Sequence, residues 1–215
     1  MVKVKYLLII STILLLSVLA SAIQPIKVVL LDTGVNQNKT LPLCLGDHKT
    51  FFGDDLTDPH GHGTEMATII NREAKGTNFC FIIVKAYGFR GFNNRLQSKF
   101  PEALKYISSL KNIDFVNISG GGVGFDPNEK RYIKTILDSG ARIIAASGNE
   151  YLNLDINCNY YPACYYPEII VASSTNPMSN KGTVVDYIVK DSNYYTSQAT
   201  AWVTGNLIRV LSKRK

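Results

Sequence analysis

The sequence predicts an α/β fold, a three-layer arrangement in which a mostly parallel sheet carries helices on both faces. Two observations point there. Short apolar runs alternate with amphipathic stretches along the chain, the pattern of parallel strands joined by crossover helices. Each run is rich in Ile and Val and bounded by turn residues, so strands covered on both faces are expected. The length, 215 residues, suits one domain with a sizeable core and leaves no room for a second.

Strands are predicted at residues 27–31, 79–85, 114–118, 142–146 and 168–172. Helices are predicted at 62–72, 97–110, 127–138 and 197–211, where apolar residues recur at spacings of three and four. Pro101 and Pro127 suit first helical turns, and Gly140 stands where a C-terminal cap belongs, so strand 142–146 starts as the third helix ends. Nothing repeats internally, and no low-complexity linker divides the chain.

The first residues have the composition of a signal peptide. Lys3 and Lys5 give a positive start, residues 6–20 are apolar, and Ala20-Ser21-Ala22 forms a small-residue cleavage site. The expected division is therefore 1–22 signal peptide and 23–215 mature domain, exported to the periplasm or the exterior. The alternative is an uncleaved membrane tether, since the apolar run is close to the shortest that spans a bilayer core of about 30 Å. No other stretch is long and apolar enough to span a membrane.

Subtracting Lys3 and Lys5 from the formal charge of +6 leaves a mild +4. The only basic run, Lys213-Arg214-Lys215, suits the end of a helix and its dipole. Without a basic stripe interleaved with aromatics, nucleic-acid binding is excluded. Four cysteines in an oxidising compartment favour disulfides over thiols. Three pairings are open; proximity across a Pro-containing loop favours Cys158 with Cys164, leaving Cys44 with Cys80, and the spacing does not resemble a zinc site.

Three segments carry residues suited to chemistry. In the first, residues 28–34, an apolar strand ends on Asp32-Thr33-Gly34 and so delivers a carboxylate to the carboxyl edge of a parallel sheet, where ligands gather. Asp-Thr-Gly also occurs in aspartic proteases, but those need a mostly β chain and a second such acid. In the second, Asp58-Pro59-His60-Gly61-His62-Gly63-Thr64, glycines flank His62 at the start of a helix and leave its ring room to face a partner. A metal pair of His60 and His62 lacks a third ligand at helical spacing. In the third, residues 195–205, small residues lead into a helix that Ser197 is expected to cap.

Together, and in this order, the three segments resemble those of the subtilisin-like serine proteases, which run Asp, His, Ser along the chain. Two more segments are similar. Residues 143–150 end in Gly148-Asn149, where the family has its oxyanion donor; read alone, Asn149 suits a left-handed turn residue. Asn117-Ile118-Ser119-Gly120-Gly121-Gly122 resembles the family segment that pairs with extended substrate; a phosphate-cradling loop would need a following Gly-Lys-Ser/Thr. The loop at Tyr161-Pro162-Ala163 and the strand after it also match.

The resemblance implies an exported serine endopeptidase acting on a peptide or protein substrate. It assigns Asp32, His62 and Ser197 to a catalytic triad, Asn149 to the oxyanion hole, and Ser119, Gly120 and Gly121 to substrate binding. No cofactor and no metal are expected, and the chain is expected to act as a monomer. There are departures from the family pattern. Tyr195 replaces a Gly, Ala201 replaces a Pro, residues 188–190 replace Ala-Pro-Gly, and the stretch between 171 and 195 is abbreviated. The segment from His62 to Lys85 is too short for the inserted calcium loop of many relatives, and residues 23–26 leave no space for a folding pro-domain. These departures motivate an alternative, a pseudo-protease that binds peptide or a protein partner through the same groove.

Overall fold

The structure is a computed structural model and describes residues 24–36, 40–90 and 93–213. The expected signal peptide and the last two residues of the basic tail lie outside the described residues. Strand β1 (Ile26–Asp32) is followed by β2 (Lys49–Thr50), α1 (His62–Glu73), β3 (Phe79–Lys85), β4 (Tyr87–Arg90) and β5 (Asn93–Ser98). Then come α2 (Phe100–Ile107), β6 (Phe115–Ile118), β7 (Gly122–Val123), α3 (Pro127–Asp138) and β8 (Arg142–Ala146). The chain closes with β9 (Tyr160–Tyr161), β10 (Ile170–Ser174), β11 (Tyr187–Val189) and α4 (Thr196–Ser212).

Seven strands form a parallel sheet in the order β11-β10-β8-β6-β1-β3-β2. Successive side chains of a strand point to opposite faces, and both faces are apolar. Val29, Leu31, Ile82, Val84, Val116 and Ile143 pack with residues of α2 and α3. Val28, Leu30, Phe81, Ile83, Phe115 and Ile144 pack on the other face with residues of α1 and α4. Each fully buried Leu or Ile of these layers contributes roughly 1.5–3 kcal/mol. Covering both faces is what turns the strands into continuous apolar runs.

The predicted strands and helices all appear, with shifts that have local causes. The second helix begins at Phe100 rather than 97. Residues 93–98 pair antiparallel with 87–90, and Lys99 N–H donates to the Ala86 carbonyl at 2.8 Å. Its end tightens into bonds from Ser109 to Tyr106 and from Leu110 to Ile107, so the helix stops at Ile107. Strand β10 begins at Ile170 because Ile169 N–H still closes a turn onto Tyr166. The abbreviated segment before α4 retains β11, which pairs in parallel with β10.

Ser197 does not cap α4. Tyr195 is the N-cap, and Ser197 is the second residue of the first turn. Among the described residues no helix is long and apolar enough to cross a membrane.

Two disulfides brace the periphery. Cys44–Cys80 ties the loop before β2 to β3 across 36 positions, and Cys158–Cys164 closes a loop of 6 around β9. Loop-closure entropy grows with loop length. Replacing Cys44 and Cys80 by Ser should therefore cost about 3–4 kcal/mol in urea unfolding, against about 2 kcal/mol for the shorter loop. An equal or reversed ranking would contradict the loop-length account.

Candidate active site

The site lies at the carboxyl edge of the sheet, where β1, β6 and β8 end. Asp32 closes β1 and is 2% exposed. Its Oδ1 accepts from Thr33 N at 2.8 Å and from His62 Nδ1 at 2.7 Å. A carboxylate only accepts, so Nδ1 carries a proton, and in the neutral ring Nε2 keeps its lone pair. Among the described residues Asp32 Oδ2 is buried without a partner. Burial works against the protonated ring, yet the hydrogen bond and charge of Asp32 outweigh it and raise the His62 pKa above 6.5.

His62 reaches Asp32 because α1 starts pressed against the turn after β1. A Cβ on Gly63 would lie 2.2 Å from the Gly34 carbonyl oxygen and 3.2 Å from Asp32 Cβ, so only glycine permits the approach.

Asp58 fixes the same junction, and sequence reasoning gave it no role. Its Oδ1 accepts from Thr33 Oγ1 at 2.8 Å and Gly61 N at 2.9 Å; its Oδ2 accepts from Thr64 N at 2.8 Å and Thr64 Oγ1 at 2.7 Å. Thr33 Oγ1 in turn accepts from Gly63 N at 2.9 Å. Burial pushes the Asp58 pKa up, but these hydrogen bonds, led by Thr64, bring it below 3.8. The available signal was an acid just upstream of a helix start, where free N–H groups attract a carboxylate.

Ser197 sits in the first turn of α4, where backbone N–H groups have no carbonyl four residues back. Its Oγ donates to the Ser119 carbonyl at 2.7 Å, and among the described residues no hydrogen bond joins it to His62. A buried polar chain anchors this helix to β6. Thr204 Oγ1 lies 2.9 Å from Asn117 Oδ1, and Asn117 Nδ2 donates to Ser119 Oγ at 2.8 Å. The Ser119 hydroxyl in turn donates to the Ser197 carbonyl at 3.3 Å.

Asn149 follows β8. Its Oδ1 accepts from Thr196 N and Thr196 Oγ1, both at 3.1 Å, so it is the oxygen and not the amide nitrogen that faces Thr196. That nitrogen has no hydrogen-bond partner among the described residues. The left-handed conformation belongs to neighbouring Gly148, with φ +98°, and not to Asn149. A second unforeseen residue, the fully buried Asn180, holds this loop. It donates from Nδ2 to the Ser147 carbonyl at 2.7 Å and accepts at Oδ1 from Glu150 N at 3.0 Å and Leu152 N at 2.8 Å.

The structure thus brings Asp32 and His62 into contact and joins Ser197 to Ser119. Asn149 is joined to the residue before Ser197, and Gly120 and Gly121 continue from Ser119. His60 lies edge-on to His62 with ring centroids 6.1 Å apart. Among the described residues no three His, Cys, Asp or Glu side chains are grouped to hold a metal ion.

A family model described as the subtilase family matches residues 24–215. No curated protein sequence matches the chain. Among solved structures, a cold-adapted subtilisin-like serine proteinase is similar at TM-score 0.65 and 21% identity, covering 88% of this chain and 74% of that one. The epidermin leader peptide processing serine protease from Staphylococcus aureus gives 0.71 and 17%, covering 88% and 66%. The nisin leader peptidase from Lactococcus lactis gives 0.68 and 18%, covering 89% and 79%.

Replacing Asp58 by Ala strips the acceptor from several buried donors and should cost about 2–3 kcal/mol. Because the folded pKa is depressed, the stabilisation is present above 3.8 and fades as pH falls through the folded value. Thermal melts of both forms should therefore converge in acid; a constant gap would contradict the assignment. Gly63→Ala should lose about 1–3 kcal/mol through overpacking, and with it the contact between His62 and Asp32. The His62 imidazole signals in NMR would report the broken contact.

Proposed function

The chain belongs to the subtilase family of serine peptidases, and on that premise we propose that it is an exported endopeptidase in which Asp32, His62 and Ser197 act as a triad. The observation that carries this reading is the 2.7 Å contact between His62 Nδ1 and Asp32 Oδ1, which leaves Nε2 able to accept a proton. The Ser197 hydroxyl turns from the Ser119 carbonyl toward His62, gives its proton to Nε2 and attacks a peptide carbonyl carbon. Asp32 stabilises the imidazolium so formed. The amide nitrogen of Asn149 and the backbone N–H of Ser197 hold the tetrahedral oxyanion at the positive end of α4.

His62 then protonates the leaving amine, and the acyl-enzyme forms on Ser197. Water, deprotonated by the same imidazole, releases the acyl group and restores the hydroxyl. The peptide lies extended along Ser119, Gly120 and Gly121 by strand addition. Residues 23–215 form the working domain, acting as a monomer after removal of the signal peptide. The two disulfides support an oxidising compartment.

A second reading, a peptide-binding pseudo-protease, draws on the Ser197 hydroxyl bonded to Ser119 rather than His62 and on Tyr195 beside it. A fluorophosphonate reagent separates the two. Labelling confined to Ser197 and lost in Ser197→Ala supports the enzyme; an unreactive Ser197 in folded protein supports the binder.

Labelling should rise with pH through an inflection above 6.5, since the base must be neutral and Asp32 raises its pKa. Asp32→Asn should move that inflection to lower pH and slow the reaction about 10,000-fold. Asn149→Ala should lower peptide turnover about 100- to 1,000-fold.

A further inference from the structure

The geometry of the proposed nucleophile and oxyanion donors limits where the substrate side chain next to the attacked carbonyl can go. Ser197 is bonded to Ser119 at the end of β6, and Asn149, after β8, is bonded to Thr196. The carbonyl therefore lies between those two ends. The side chain on its α-carbon must enter the gap flanked by Gly120 and Gly121 on one side and Gly148 on the other.

In this chain one aromatic ring stands in that gap. A Cβ on Gly121 would lie 2.8 Å from Tyr160 Cε1, and a Cβ on Gly148 would lie 2.6 Å from Tyr160 Cε2. These atoms are opposite edges of the same ring, which therefore spans from wall to wall. Tyr160 is 5% exposed. Its backbone is fixed by the pairing of β9 with β7 and by the Cys164 N–H donating to its carbonyl at 2.9 Å. Asn180 Nδ2 and Glu150 Oε2 would each lie 2.4 Å from a Cβ on Gly148, so the space behind that wall is filled as well.

We propose that Tyr160 is a specificity-determining residue that closes this pocket, so that the chain accepts Gly, Ala or Ser before the cleaved bond and rejects aromatic, long aliphatic and long basic side chains there. A second ring has no room in a gap that one ring already bridges, and a densely packed site yields little to added volume. The proposal rests on the reading of Ser197 and Asn149 as the groups that bracket the carbonyl.

Its test uses equilibrium binding, which needs no turnover. Ser197→Ala protein is titrated calorimetrically with two product-like pentapeptides that are identical except for a C-terminal Ala or Phe. The Ala peptide should bind at least about tenfold tighter, a discrimination within the range of small pocket differences. In Ser197→Ala/Tyr160→Gly the order should reverse, and in Ser197→Ala/Tyr160→Phe, which keeps the ring, it should not. Equal or tighter binding of the Phe peptide with Tyr160 in place overturns the proposal, as does failure of both peptides to bind. The comparison in Ser197→Ala alone decides even if the Gly variant does not fold. An unreactive wild-type Ser197 toward fluorophosphonate would sink the endopeptidase reading and leave these affinities to judge the pocket.

Discussion

The burial of β1 between β3 and β6 is the constraint to which the candidate site is referred. Val28 through Leu31 are fully buried and the parallel register with both neighbours is continuous, so the strand cannot slide without breaking close packing on both faces. Asp32 is thereby delivered to one point at the edge. Thr33 and Asp58 extend that fixed point to the start of α1, and the His62 ring meets the carboxylate as a result. Among the described residues Asp32 Oδ2 is buried without a partner. An unpartnered buried carboxylate oxygen is costly, which adds weight to the bonds that Oδ1 accepts from Thr33 N and His62 Nδ1.

A second anchor is built from neutral polar groups. Thr200 bonds back to the Thr196 carbonyl within α4, and the single Thr204 hydroxyl proton is shared between the Thr200 carbonyl and Asn117 Oδ1 on β6. The network is fully buried, so each unmade bond would be expensive and the helix is held in one position along the sheet. Ser197 and Asn149 then need no direct contact with each other, because Thr196 links Asn149 to the same helix.

Much of this was legible in the sequence wherever the signal is local. Strands 79–85 and 142–146 and helix 127–138 have the bounds their apolar spacing predicts, and the start of α1 at His62 follows from its glycine flanks. What escaped depends on distant partners. Strands β7 and β9 are two residues long and exist only as a pair, across nearly forty positions of chain. Asn180 and Asp58 look like ordinary loop polar residues until the fold folds loop backbone around them. The capping role expected of Ser197 falls elsewhere, because Gln198 Oε1 accepts from Tyr195 N–H and Asn149 takes Thr196 N–H. Likewise, Gly148 absorbs the left-handed turn for which Asn149, read alone, is suited.

The seven-stranded sheet ends on short strands at both sides. One edge is β2, two residues long and beside the loop carrying Cys44; the other is β11, three residues long. Open strand edges are templates on which copies of a chain pair and grow into insoluble aggregates. Keeping both edges to a few residues offers such pairing little backbone to extend. The same two elements that look like remnants at the margins of the fold thus leave little open strand backbone at either edge of the sheet.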